Sequence, residues 1–195
     1  MSPTIADRRP PFVLVTGNPG KLAEARRLAG DGLEAVAIDL PEIQSLDLEE
    51  VLRAKAAEAW RRLGRPLVVE EAGLGLAALN GFPGPLVKWM LDAVGAVGIA
   101  RAAAALGDTR AVARCALLYT DGARSVVASG ETAGRLVLPP RGEHGFGWDP
   151  VFLPDLGPDG GARTFGELAG AEKDAISHRG RAWRALLAAL AGEAP

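Results

Sequence analysis

A short apolar run, Phe12 to Thr16, stops at Gly17-Asn18-Pro19-Gly20 and passes at once into apolar residues at helical spacing, Leu22, Ala25 and Ala29, before Gly30. Strand, glycine loop and helix in immediate succession predict the opening unit of an α/β protein. The alternation continues. Ala35 to Ile38 is a second apolar run leading into Asp39 and Leu40-Pro41-Glu42. Asp47-Leu48-Glu49-Glu50 resembles a capping box, and Leu48, Val51, Leu52, Ala56, Ala59 and Leu63 form one helical face closed by Gly64. Leu67 to Val69 reads as a further strand that ends at Glu70 and Glu71.

The second half has a different pattern. Ala111 to Thr120, Asp121-Gly122 and Arg124 to Ser129 predict a long β-hairpin around a two-residue type I′ turn, with Thr132 to Leu138 as a third antiparallel strand. Antiparallel strands beside the parallel ones imply a mixed twisted sheet with flanking helices. A last helix starts near Ser177, where Trp183, Leu186, Leu187 and Leu190 fall on one face. The chain therefore reads as a flexible arm over 1–11 and one two-lobed α/β domain over 12–195, the lobes flanking a central cleft.

With 195 residues, 22 basic and 24 acidic side chains and a net charge of −2, the chain can bury an ample core and lacks the basic footprint of a nucleic-acid binder. Cys115 is the single cysteine, so no disulfide within the chain supports the fold. Residues 1–11 carry Arg8 and Arg9 but no apolar signal core, and the stretch Ala96 to Leu106 is interrupted by Arg101 and too short to cross a bilayer. The expectation is a cytoplasmic protein with neither membrane nor nucleic acid as partner.

Several residues carry chemistry. Thr16-Gly17-Asn18-Pro19-Gly20-Lys21 lacks the spacing of a Walker A loop, yet backbone N–H groups, a helix start and a lysine are what a phosphate requires; an ordinary β–α turn is the other reading. Lys55 falls on the face of its helix that also carries Leu48, Val51 and Leu52, so it either snorkels at the core edge or points into a cleft. Glu42, Glu70 and Glu71 follow predicted strand ends, where hard oxygen donors suit Mg²⁺ bound jointly by carboxylates and substrate phosphates; they also suit a solvated surface. Phe146-Gly147-Trp148-Asp149-Pro150 offers aromatic rings either to the core or to a planar base. Ser177 can cap the last helix and so place His178 and Arg179 at its positive end, while His144 has no ligand spacing to His178.

In order along the chain, Thr16 to Lys21, Val69-Glu70-Glu71, Gly81-Phe82-Pro83-Gly84-Pro85, Phe146 to Pro150 and Ala171-Glu172-Lys173-Asp174-Ala175-Ile176-Ser177-His178-Arg179 resemble the inosine triphosphate pyrophosphatase family, the Ham1-like proteins. The resemblance runs from about Phe12 to Leu190. It implies a homodimer of this mixed α/β fold that cleaves ITP, dITP and XTP to the monophosphate and pyrophosphate, with Mg²⁺ or Mn²⁺ as cofactor and nucleoside triphosphates as partners. Carried over by motif, Thr16, Gly17, Asn18, Pro19, Gly20, Lys21, Lys55, Ala72 and Lys88 would surround the phosphates. Glu42 and Glu71 would hold the metal, and Glu71, Lys21 and Lys55 would be catalytic. Phe146, Gly147, Trp148, Asp149, Lys173, Ser177, His178 and Arg179 would form and orient the base pocket. A Maf-like pyrophosphatase matches the last two motifs less well.

The chain departs from the family at one place. Where the family carries Glu-Asp and then Ser or Thr, this chain has Glu70-Glu71-Ala72: a carboxylate one methylene longer and no hydroxyl. The alternative function is accordingly a purine-nucleotide-binding protein with weakened or lost hydrolysis.

Overall fold

The structure is a computed structural model and describes residues 10–156 and 162–192. The arm expected over 1–11 lies outside the described residues except for Pro10 and Pro11. In chain order the elements are β1 (Val13–Val15), α1 (Pro19–Ala29), β2 (Glu34–Val36), α2 (Leu48–Leu63), β3 (Leu67–Leu76), β4 (Pro83–Gly84), α3 (Val87–Ala105), β5 (Arg110–Thr120), β6 (Ser125–Leu136), β7 (Phe152–Pro154), α4 (Gly170–Ile176) and α5 (His178–Ala191). Seven strands form one mixed sheet in the order β2-β1-β3-β5-β6-β7, with β4 paired to β3. β1 runs parallel to both β2 and β3, and every other pairing is antiparallel.

Both faces of the sheet are covered. Leu52, Ala56 and Ala59 of α2 pack with Val13, Val15, Leu67 and Val69, whereas Ala25 of α1 and Ala182, Trp183 and Leu186 of α5 pack with Leu14, Val68, Leu117 and Tyr119. Alternate side chains of β1 and β3 thus feed opposite cores, which is why these strands are continuous apolar runs. A third cluster joins Ile99, Ala100 and Ala103 of α3 to Leu74, Leu76, Phe152 and Phe165 at the other end of the long strands.

The helix ends follow from local chemistry. Asn18 caps α1 by accepting from the Lys21 amide at 3.0 Å, and Pro19 occupies a first helical turn that needs no donor from it. Asp47 caps α2 through the amides of Glu49 and Glu50, and Gly64 closes it in the left-handed conformation at φ 59°. The reciprocal half of the expected capping box is absent from α2: the Glu50 carboxylate accepts from the Ser45 hydroxyl at 2.5 Å.

Three expectations are corrected. Glu70 and Glu71 do not follow a strand end but lie in the middle of β3, which is ten residues long and buried throughout. Pairing with β1 ends at Val69 and pairing with β5 continues to Leu76, so both glutamates stand just beyond the end of β1. Asp121-Gly122 is not a two-residue turn, because Thr120 pairs with Ser125 and leaves a four-residue loop. There the Asp121 carboxylate accepts from the amides of Ala123 and Arg124, and Gly122, at φ 85°, lies against the Trp60 ring. Finally, Thr132 to Leu138 is no separate strand: β6 runs unbroken from Ser125 to Leu136. The apolar stretch at Ala96 belongs to α3, which Gly95 interrupts at φ 67°, and among the described residues no helix is long and apolar enough to cross a membrane.

Candidate active site

Strand order 2-1-3 means that α1 and α2 leave the carboxyl ends of β1 and β2 toward opposite faces, and a crevice opens where the chain switches direction. A cavity of about 640 Å³ occupies that crevice. Thr16, Gly17, Asn18 and Lys21 line it from the β1–α1 loop, and Asp39, Leu40 and Glu42 from the segment after β2. Lys55 reaches it from α2, Glu70, Glu71 and Ala72 from β3, and Lys88 and Trp89 from α3. Phe146, Gly147, Trp148 and Asp149, with His178 and Arg179, form its far wall.

At the loop, the Asn18 amide donates to the Thr16 hydroxyl at 3.1 Å, folding the turn back on itself and directing the α1 N-terminus at the cavity. Opposite, Lys55 Nζ donates to Glu71 Oε2 at 2.6 Å and to Glu42 Oε1 at 2.8 Å. Lys55 is therefore a cleft lysine. Burial opposes its charge, but the two carboxylates outweigh burial and hold its pKa above the ordinary lysine value. Burial raises the Glu42 carboxyl, but the bond from Lys55 together with the charges of Lys55, Lys88 and Lys21 holds it below the ordinary range. Two hard oxygen donors so placed fit a divalent cation that takes its remaining ligands from water and phosphates. Among the described residues there is no cluster of three such ligands.

A chain of alternating charges runs along the cavity wall at Lys21, Glu70, Arg179 and Asp149 and passes behind it at Glu24 and Lys173. Lys21 Nζ stands 3.4 Å from Glu70 Oε1, which also accepts from Arg179 Nε at 3.0 Å. Arg179 Nη1 donates to Glu24 Oε2, and Glu24 Oε1 accepts from Lys173 Nζ at 2.6 Å. Lys173 Nζ then donates to Asp149 Oδ2 at 2.6 Å. Burial raises the carboxyls of Glu24 and Glu70, but Arg179, with Lys173 or Lys21, pulls both below the ordinary range. Asp149 behaves oppositely: burial raises it despite Lys173.

The far wall is aromatic. The His178 ring stacks between Trp148, at 6.4 Å between centroids, and Phe165, at 6.1 Å. His178 is buried rather than at the surface, and burial with the charges of Arg179 and Lys173 pushes its pKa well below 6.5, so the ring is neutral at pH 7. Neither His178 nitrogen, nor Trp148 Nε1, nor Glu70 Oε2 has a hydrogen-bond partner among the described residues. Asp149 Oδ2 accepts from the Phe146 amide at 2.7 Å and shapes the turn between the two aromatics.

Thus the structure brings Thr16, Gly17, Asn18, Lys21, Glu42, Lys55, Glu71, Ala72, Lys88, Phe146, Gly147, Trp148, Asp149, His178 and Arg179 around one cavity. It does not bring Pro19, Gly20, Lys173 or Ser177 to the cavity wall. Pro19 opens α1, Gly20 backs Phe146, Lys173 joins the charge chain, and Ser177 caps α5 by accepting from the Gly180 amide at 3.0 Å. Lys88 sits at the rim, its Nζ 4.5 Å above the Trp89 ring and 3.4 Å from Asp92. Sequence reasoning missed Glu24, a lone carboxylate beside Ala23 and Ala25. Its one signal is the i, i+3 spacing from Lys21.

A model of the Ham1 family matches residues 12–189. The chain is 40% identical over 174 residues to the dITP/XTP pyrophosphatase of Methanopyrus kandleri, covering 87% of this chain and 90% of that protein. It is 41% identical over 186 residues to the inosine triphosphate pyrophosphatase of Yarrowia lipolytica, covering 93% and 96%. A HAM1 protein from Coxiella burnetii superposes with a TM-score of 0.76 at 31% identity, covering 93% and 98%.

Proposed function

The chain belongs to the Ham1 family, and from that premise we propose that it hydrolyses non-standard purine nucleoside triphosphates, ITP, dITP and XTP, to the monophosphate and pyrophosphate. One observation carries the reading: a single cavity joins a phosphate-type loop, a lysine between two carboxylates, and an aromatic wall with a neutral histidine that has no hydrogen-bond partner among the described residues. The names of its curated relatives support the same substrates.

In this reading the helix start at Asn18, with Lys21 and Lys55, neutralises the triphosphate, and the base lies against Trp148 and His178. Glu42 and Glu71 would hold Mg²⁺, which when bound supplies charge neutralisation of the phosphates and a more acidic water. Glu71 orients the attacking water toward the α-phosphorus; the bond to the bridging oxygen breaks and pyrophosphate leaves. Positioning and charge stabilisation supply most of the acceleration in phosphoryl chemistry. His178 donates to the 6-oxo group of hypoxanthine or xanthine. Adenine presents an amine there and leaves that buried donor unpaired, a mismatch that can cost as much as about 10⁴-fold. Cytoplasmic housekeeping of the nucleotide pool, as a homodimer, fits this activity.

The test is product analysis with ITP, dITP, XTP, ATP and GTP, with and without Mg²⁺, reading pyrophosphate separately from phosphate. Metal-dependent IMP or XMP together with pyrophosphate, and little product from ATP, is the expected result. Binding of ITP without turnover would instead establish a nucleotide-binding protein that has lost hydrolysis at Glu71.

A further inference from the structure

Gly20 and Glu24 stand four residues apart on α1, hence on one face of that helix, and neither lines the cavity. Both nonetheless hold the loop that does. A Cβ at Gly20 would collide with the edge of the Phe146 ring, 2.8 Å from Cε1 and 2.9 Å from Cγ, so the ring is seated on helix backbone in the space a side chain would fill. Glu24 holds Lys173, whose Nζ lies 5.2 Å from the centroid of the same ring and bonds Asp149 Oδ2, the oxygen that accepts from the Phe146 amide. The other Glu24 oxygen holds Arg179, whose Cζ is also 5.2 Å from that centroid. The aromatic loop is thereby fixed to α1 by its ring and by its backbone. The same helix begins at Asn18 and carries Lys21 toward the phosphate end of the cavity.

We propose that the Gly20/Glu24 face of α1 is a positioning element that couples occupancy of the base wall to the geometry of the phosphate loop. α1 is one continuous helix of eleven residues. It cannot shift to adjust the loop at its N-terminus without carrying Phe146, Lys173 and Arg179 with it. A base that orders Phe146 and Trp148 therefore also orders Asn18 and Lys21, and discrimination among bases appears at the reacting phosphates and in kcat rather than in KM alone. Gly20 and Glu24 are positioning residues, acting through Phe146, Lys173 and Arg179. This inference rests on the proposed function only in taking a purine nucleoside as occupant of the base wall.

The test separates the two halves of the substrate, with inosine as the base probe and inorganic tripolyphosphate as the phosphate probe, titrated by calorimetry. In the wild-type protein saturating inosine should tighten tripolyphosphate by at least about 5-fold, and by linkage tripolyphosphate should tighten inosine by the same factor. Gly20→Ala displaces the Phe146 ring and should reduce that factor to below about 2-fold, while tripolyphosphate alone still binds. Phe146→Leu removes the contact from the other side at a partly exposed residue, so it answers even where Gly20→Ala fails to fold. The double variant should lose no more coupling than either single one, because both changes delete one contact. Independent binding of the two probes in a wild-type protein that cleaves ITP overturns the coupling and leaves the function standing. Coupling that survives in Phe146→Leu also overturns it. Failure of inosine to bind at any tripolyphosphate concentration overturns the coupling, and overturns the function as well only where ITP is not cleaved.

Discussion

Glu71 reaches Lys55 from the middle of a strand, and its extra methylene relative to the family's aspartate sets where its oxygens lie in the cavity. A displacement of about 1 Å at a reacting centre costs on the order of 10²-fold in rate. Glu71→Asp is therefore expected to raise kcat on ITP by up to about that factor. An unchanged kcat with the metal requirement retained removes Glu71 from the water-orienting position. His178 makes a prediction about stability. Its pKa in the folded protein lies well below 6.5, so below about pH 6.5 the unfolded chain binds a proton that the folded one does not. Stability then falls as pH drops, by up to about 1.4 kcal/mol per pH unit contributed by this group. Urea denaturation at pH 7.5, 6.0 and 5.0 should show this slope, and His178→Asn should remove it while leaving the opposite contribution of Asp149, whose raised pKa favours the folded state in acid.

Among the elements, α2 was readable end to end, because Asp47 and Gly64 bracket it and its apolar face repeats at helical spacing. α4 was invisible as a helix: it has seven residues, and what it buries is Lys173 and Asp174 rather than an apolar stripe. The full ten-residue length of β3 is hidden in the sequence for a related reason. Glu70 and Glu71 look like an exit from a strand until β5 pairs alongside them and Arg179 and Lys55 neutralise them. α5 depends on a residue in another element. At Gly130 of β6 a Cβ would stand 2.6 Å from Arg181 Cβ and 2.7 Å from the Ala182 amide nitrogen, so the helix sits on the strand backbone. Gly130→Ala should push α5 outward at a cost of about 1–3 kcal/mol in urea denaturation. Because α5 begins with His178 and Arg179, the same variant should raise KM for ITP; an unchanged KM would mean the helix start does not move with its body.

Across the whole molecule, three cations and three carboxylates alternate from Lys21 through Glu70, Arg179, Glu24 and Lys173 to Asp149, linking α1, β3, α5, α4 and the aromatic loop. Glu24→Gln leaves Lys173 and Arg179 each short of a buried counter-charge and is expected to cost about 3–5 kcal/mol of unfolding free energy. Raising the salt concentration should not reproduce that loss, since screening acts weakly on buried pairs; a wild-type stability that fell equally in high salt would contradict the buried network. The sequence by itself determined the α/β class, the loop from Thr16 to Lys21, the place of Lys55 on the apolar face of its helix, the aromatic segment and the cap at Ser177. Each of these depends on residues close together in the chain, whose spacing alone sets a helix face, a turn or a cap. Only the tertiary structure decided that Glu24 joins Lys173 to Arg179, that Gly20 seats Phe146, that His178 is buried and neutral, and that Glu70 and Glu71 lie within a strand. Those facts arise from groups up to 155 positions apart. Local spacing does not encode them, because a buried charge is stable only once its partner has arrived from elsewhere in the fold.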